Sequence, residues 1–538
     1  MLKLTANATK HCDVVVVGTG AAGLSVLLHL ARAGAETIAV TRGSLRDSST
    51  DWAQGGLAAV FDDADDYESH IADTLEAGAG LCDPVAVREL VTAAPRAINR
   101  LVELGAIFDR EPDGSFDLHL EGGHCANRIV HAYGDASGAE VERTLAVALS
   151  SALVVSKTKV WEHTRLVDIL TDSSGATCGV RVVNESGVTD IRSEAVVLAS
   201  GGIGQLWPVT SNPSVATADG IAAALRAGAT VRDLEFTQFH PTVLFDPRAR
   251  DRGMLISEAV RGHGAKLINS AGERFMVGKH SLAELAPRDV VSAEIMAELE
   301  RSGERCVYLD ATEFSESWHS VFPLILQLCR SRGVDPIASP IPVHPAAHYS
   351  CGGVAADMNG VTSVPGLYAV GETAATGVQG ANRLASNSLT EALVCGDALG
   401  QQLAEGNLPR PGRPFRADST LAEDFVAPQA VETIKSAMQK YGFVTRCDKG
   451  LHRLSETIQG LPTGGFSDAA LTATNLALAA SVIATAGLHR TESRGCHRRS
   501  DYPERDERLA HRQAVRLVGG SLEIATQPIT RNELKEVA

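Results

Sequence analysis

Several polar side chains in Gly-rich surroundings could act together on a small anion. The run EFTQFHPT carries Gln238 and His240, and LISEAVRGHGAKLINSAGERF carries Ser257, Glu258 and Arg261. LAPRDVV supplies Arg288, HPAAHYSCGG supplies His348, and GANRLASNSLTEAL supplies Arg383. Taken singly, each reads as a solvated side chain or one satisfied in the core. Taken together, two arginines, two histidines and a hydroxyl could clamp a short molecule bearing two carboxylates, with Arg suited to bidentate pairing. Glu121 stands beside Gly122-Gly123 and His124. A carboxylate next to a Gly pair can face a ligand without crowding it. A guanidinium is a poor base near neutrality, so Arg288 reads first as an electrostatic and positioning group.

Such a set needs a frame, and residues 13–23, DVVVVGTGAAG, supply its centre. The β-branched run Val14 to Val17 predicts a strand buried on both faces. Gly18, Thr19, Gly20, Ala21, Ala22 and Gly23 follow with G-x-G-x-x-G spacing, ahead of a helical pattern carrying Leu24, Leu27, Leu28 and Leu30. Gly18 permits the tight turn, Gly20 lets a pyrophosphate approach the backbone, and Gly23 lets helix and strand pack closely. The second strand, Thr37–Val40, ends at Thr41, where a ribose-binding acid is usual. That departure weakens a plain NAD reading. A second short strand, GLYAVGE, ends in Glu372, whose carboxylate can bond a ribose or ribityl hydroxyl.

The other elements follow from periodicity. Asp66 to Glu76 and Pro84 to Leu104 predict packing helices, and residues 152–200 predict a β-meander with a strand returning to the dinucleotide sheet. Asp219-Gly220 open another helix. PRPGRP at 409–414 reads as a linker. Helical patterns then cover Ala430–Tyr441, Lys449–Gln459 and Asp468–Ala486.

Composition narrows the function. A net charge of −16 over 538 residues argues against nucleic-acid and acidic-membrane surfaces. No stretch is expected to span a bilayer, and Leu476–Leu488 reads as a buried Ala-rich helix. Residues 1–12 lack a signal-peptide core. The ten cysteines are scattered without C-x-x-C, so no metal or iron–sulfur site is indicated, and free thiols suit a cytoplasmic location.

A family resemblance adds to this. Residues 44–60, SLRDSSTDWAQGGLAAV, resemble the AQGG stretch of the succinate dehydrogenase and fumarate reductase flavoproteins, a family that includes the L-aspartate oxidases. The resemblance implies FAD, with Ser48, Ser49, Thr50, Ala53, Gln54, Gly55 and Gly56 wrapped around its ring. Ser49 stands where membrane-bound members carry the flavin on a His, so a non-covalent cofactor is expected. Asp219 is implied near the cofactor. Asn387 and Ser388 resemble the cap of a helix from Leu389, with its positive end at the flavin.

Q-x-H-P-T, E-A-x-R-G-x-G and P-R-D match the substrate-capping domain of this family. His240 and Ser257 are thereby implied to hold substrate carboxylate, with Arg288 at the reacting carbons and as a proton shuttle. EGGH at 121–124 and SRGCHRRSDYP at 493–503 are similar to segments of the L-aspartate oxidase branch, where the Glu lies near the substrate amine.

The expected architecture is α/β. A Rossmann-like FAD-binding domain spans 1–234 plus 349–412, an inserted α+β capping domain spans 235–348, and a C-terminal helical domain spans 420–538. The activity implied is FAD-dependent oxidation of L-aspartate to 2-iminosuccinate by hydride transfer from C2 to flavin N5. Reoxidation by O2 or fumarate, and quinolinate synthase as a downstream partner, are implied with it. The alternative is the flavoprotein subunit of a fumarate reductase or succinate dehydrogenase. A non-enzymatic FAD-bearing protein would require the cation cluster to be coincidental.

Overall fold

Val14–Val17 form the central strand of a five-stranded parallel sheet, each valine at most 5% exposed. The order across this sheet is Leu367–Ala369, Ala195–Leu198, Val14–Val17, Thr37–Val40, Lys159–Trp161. Every neighbouring pair is parallel. A sheet covered on both faces wants apolar residues at every position, which explains the unbroken β-branched run. The computed structural model describes residues 6–248, 252–314, 317–406 and 425–529.

The helix Ala21–Ala33 leaves the central strand through the Gly-rich turn and stops at Gly34, whose φ is 74°. Gly18 has φ 105°, a conformation open to glycine. A Cβ on Gly23 would lie 2.1 Å from the Gly18 carbonyl oxygen, so only glycine lets this helix pack so close to the turn. The long helix Asn387–Ala404 lies along it.

The predicted meander forms from Arg165–Thr171, Thr177–Asn184 and Gly187–Arg192, with Ala8–His11 added at its edge. Lys159–Trp161 instead joins the parallel sheet, and Ala195–Leu198 is the returning strand.

Between these two passages lies a unit with its own core. Thr237–Leu244, Ile341–Ser350, Val307–Asp310 and Lys266–Ile268 form an antiparallel sheet in that order. Ile256, Ile295, Trp318 and Phe322 fill its interior. Helix Arg288–Ser302 packs on strand Thr237–Leu244, which sets Arg288, in the first helical turn, near Gln238.

The C-terminal helices are Ala430–Tyr441, Asp448–Gln459 and Asp468–His489. The last differs from expectation. At 22 residues and mean hydropathy 1.6 it is long and apolar enough to cross a membrane by length and composition, although 67% of the apolar window is buried inside the protein. Its hydropathy comes from Ala and Leu packed in the main core, and its Asn475 bonds Arg226 and Asp219.

The tail also adds strands that its helical patterns do not announce. Arg512–Val518 and Ser521–Gln527 form a hairpin that pairs Val515 with Val231 and extends a sheet containing Gly353–Ala355 and Ala374–Ala375. The linker expected at 409–414 lies outside the described residues.

Candidate active site

One cavity, about 1650 Å³ counting the part open to solvent, runs from the Gly-rich turn to the face of the second unit. All the residues expected at a cofactor line it except Gly23, which lies behind the turn. Gly20 precedes helix Ala21–Ala33 with no side-chain cap and no acid in the first turn, leaving the helix N-terminus favourable to an anion. Thr50 Oγ1 accepts from the Ala21 amide at 3.0 Å. The buried Gln54 Oε1 has no partner. Glu372 accepts from the Ser350 amide at 2.9 Å, and burial pushes its carboxyl up to about 7. A narrow glycine cradle, an uncapped helix end and buried groups awaiting hydroxyls or ring nitrogens fit a dinucleotide.

Two cofactor expectations are refined. Asp219 reaches the wall, but both carboxylate oxygens are committed. Arg165 donates to Oδ2 at 2.9 Å and to Oδ1 at 2.8 Å, and Asn475 also donates to Oδ1. It braces the wall and orients Arg42, which stands 3.7 Å away and lines the cavity. The helix expected from Leu389 begins at Asn387, with Ser386 as the preceding residue at φ 59°. Asn387 is buried and bonded to His70 and Thr74, so it caps nothing. Ser386 Oγ accepts from the Gly56 amide at 3.1 Å and donates to Glu121 Oε2 at 2.6 Å.

At the other end of the cavity the predicted cations converge. Arg288 Nη1 and Arg383 Nη2 both donate to Gln238 Oε1, at 3.1 and 3.0 Å. Gln238 is therefore not itself a wall residue. Its amide nitrogen donates to Asn382 Oδ1 and the Arg383 carbonyl, each at 2.8 Å, so it is a bracket that fixes two guanidiniums side by side. Arg383 also donates to Ser388 Oγ at 3.1 Å, and its Nε is buried without a partner. Burial, followed by repulsion from Arg288, lowers the Arg383 guanidinium to about 10.

Arg288 Nε donates to Glu258 Oε2, and Arg261 stands 3.1 Å from Glu258 Oε1. Burial opposes ionisation of Glu258, but Arg261 and Arg288 outweigh it and hold the carboxyl below its ordinary range. Glu258 thus bonds or faces two guanidiniums directly, with Arg383 acting on it from farther away.

His240 and His348 lie with ring centroids 5.1 Å apart, edge to face. Burial, then Arg288, holds both well below the usual imidazole range, so both rings are neutral. The Thr242 amide donates to His240 Nδ1 at 3.3 Å, which places the proton on Nε2. That buried Nε2–H has no partner in the protein. His348 Nδ1 meets Ser211 Oγ at 2.7 Å. Ser257, Glu258, Arg288, Arg383, His240 and His348 all line the cavity.

Glu121 stands just behind the wall. A Cβ on Gly55 would approach its Oε1 to 3.2 Å, so Gly55 is the thin point between this carboxylate and the cavity. Burial raises the Glu121 carboxyl, partly offset by the Ser386 hydroxyl.

The decisive observation is similarity along nearly the whole chain. The L-aspartate oxidase of Streptomyces coelicolor is 46% identical over 534 residues, covering 94% of this chain and 91% of the relative. That of Mycobacterium tuberculosis is 45% identical, covering 91% of this chain and 92% of the relative. The chain belongs to the L-aspartate oxidase family of FAD-binding flavoproteins. The FAD binding domain model matches residues 13–389, and the fumarate reductase flavoprotein C-terminal model matches 465–537. FAD is therefore the cofactor of the cavity.

Among solved structures, E. coli quinol fumarate reductase is similar with a TM-score of 0.89 at 29% identity, covering 98% of both chains. Mycobacterium smegmatis Sdh1 is similar with a TM-score of 0.83 at 31% identity, covering 97% of this chain and 95% of that one.

Several wall residues of this family member escaped sequence reasoning. Ser211 and Asn212 sit in a T-S-N-P turn, Arg252 lies 3.8 Å over the Trp52 ring, and Tyr349 carries Arg383 over its ring at 4.8 Å. Their signals were weak: a polar turn after a buried Trp, and a tyrosine next to a chosen histidine.

Proposed function

We propose that the protein oxidises L-aspartate to 2-iminosuccinate. The observation that carries this reading is the pair of guanidiniums held on one Gln238 oxygen, lining the same cavity as the unpartnered His240 Nε2–H. Glu258 already offsets Arg288, but Arg383 is buried with no carboxylate bonded to it among the described residues, a charge that an entering anion would compensate. A four-carbon dicarboxylate has the charge and length to do so, and the same cations orient its C2–H bond. FAD, when bound, supplies the two-electron acceptor for that bond.

The chain's own residues do the rest. Arg383, His240, His348 and Ser257 bind carboxylate oxygens. Arg288 stands at the reacting carbons, its guanidinium oriented by Glu258 and Gln238. Glu121, raised by burial and close to Gly55, gains its counter-charge when an α-ammonium arrives, which separates an amino acid from a plain dicarboxylate. Residues 235–348 act as the capping unit. Ser49 at the cofactor wall supports a flavin held without a covalent link. O2 or fumarate reoxidises the enzyme, quinolinate synthase consumes the product, and the free thiols suit the cytoplasm.

Anaerobic addition of L-aspartate, D-aspartate and succinate to the purified protein tests this reading. Bleaching of the flavin by L-aspartate alone is expected. Bleaching by succinate alone would favour the second reading, a fumarate reductase or succinate dehydrogenase subunit, which the likeness to quinol fumarate reductase keeps in view.

A further inference from the structure

We propose that Asp117, His119 and His131 form a binding site for a divalent d-block cation of the zinc class, separate from the flavin cavity. The three side chains lie on one face of a small antiparallel sheet. Leu118 pairs with Val130 and His119 with Ile129, so alternation puts Asp117, His119 and His131 on the same side. One ligand atom from each lies within 4.8 Å of the others. Asp117 Oδ2 is 3.7 Å from His119 Nε2 and 3.8 Å from His131 Nε2. A tetrahedral shell with ligands at about 2.0–2.1 Å has edges of about 3.4 Å, so a small contraction brings these atoms onto one ion.

The hydrogen-bond setting of His131 makes this more than a polar cluster. Its side chain is 5% exposed, and its Nδ1 faces Asp109 Oδ2 at 2.9 Å. That carboxylate also accepts from the Gly134 amide at 2.8 Å and, through its other oxygen, from the Tyr133 amide at 3.0 Å. An acceptor so supported keeps the proton on Nδ1 and leaves a lone pair on Nε2. That Nε2 is buried with no hydrogen-bond donor, an uncompensated cost if nothing binds there. A carboxylate orienting a histidine whose far nitrogen is free is the arrangement that supports metal ligands.

His119 and Asp117 are 32% and 39% exposed, which leaves an entry path and room for water as a fourth ligand. The His119 ring now lies against His131, with centroids 3.6 Å apart. Turning it about its side-chain bonds opens the stack and aims Nε2 inward. Two imidazoles and one carboxylate select zinc, cobalt or nickel over calcium or magnesium.

The test uses the untagged, FAD-loaded full chain after chelator dialysis. Zn2+ is titrated against a chromophoric competitor, and Co2+ is followed by its visible ligand-field bands. One equivalent per chain is expected. His119→Ala and Asp117→Asn, both at half-buried positions away from the cavity, should lose tenfold or more in affinity and abolish the cobalt bands while FAD content stays unchanged. Asp109→Asn, acting through His131, should lose about 10–100-fold. Absence of a saturable equivalent, or an equivalent that His119→Ala and Asp117→Asn leave intact, overturns the proposal.

Discussion

Replacing Arg383 by Leu should abolish turnover without harming the fold. Arg383 presents an unpartnered Nε to the cavity beside nitrogens held by Gln238 and Ser388. A bidentate grip on a substrate carboxylate uses two charge-assisted hydrogen bonds, each contributing about 1.5–3 kcal/mol. Losing both costs about 3–6 kcal/mol, which corresponds to a fall of about 10²–10⁴ in kcat/KM for L-aspartate. Stability should move the other way. Burial and Arg288 lower this guanidinium to about 10, so holding its charge in the folded protein carries a cost in stability. Leu removes that cost, Gln238 keeps Arg288 as a donor, and Ser388 still faces the cavity. The assay pairs steady-state oxidation with flavin absorbance and a melting curve. Activity within tenfold of the unmodified protein, with FAD retained, would refute the clamp. A clear drop in Tm would refute the electrostatic argument.

Glu121→Gln should weaken aspartate oxidation far more than fumarate reduction, and equal losses in the two assays would remove Glu121 from amine recognition. Gly23→Ala places a methyl 2.1 Å from the Gly18 carbonyl oxygen and 3.3 Å from the Ala199 Cβ, so the soluble yield of yellow protein should collapse; a normal flavin-to-protein absorbance ratio would contradict this. Glu142, behind Ser48, is raised by burial from 4.5 to about 8. A raised carboxyl stabilises the fold fully below its unfolded pKa and loses that contribution as pH rises towards its folded one. Glu142→Gln should therefore gain on the unmodified protein by up to about 1.4 kcal/mol per pH unit across that window; denaturant melts showing a constant difference would exclude this.

The parallel sheet and its turn were legible because burial on both faces and a glycine-only packing contact each leave a direct mark on residue type. The cation set was legible only as a set: each Arg and His alone reads as an ordinary side chain, but several in Gly-rich runs together suggest a clamp for an anion. Gln238 was legible as a site residue but not as a bracket, because its partners Arg288 and Arg383 come from distant parts of the chain. Glu121 was legible as a carboxylate beside glycines, but its place behind Gly55 depends on Ser386, whose backbone conformation no spacing rule indicates. The helix start at Asn387 was misread by two residues because Asn and Ser favour caps in general, whereas here His70 and Thr74 claim the Asn387 side chain. The terminal hairpin was missed because its second strand is largely exposed and lacks a buried apolar face, so its alternation is easily taken for irregular chain.

That hairpin bears on how the molecule is made. Val231 pairs with Val354 on one side but finds its second neighbour only when residue 515 has been synthesised. During translation the earlier strand therefore waits with one edge bare, and closure across so long a span is slow. A nascent chain stalled before the hairpin would expose an open β-edge to other chains, which makes the interval before the hairpin emerges the point where clumping competes with folding.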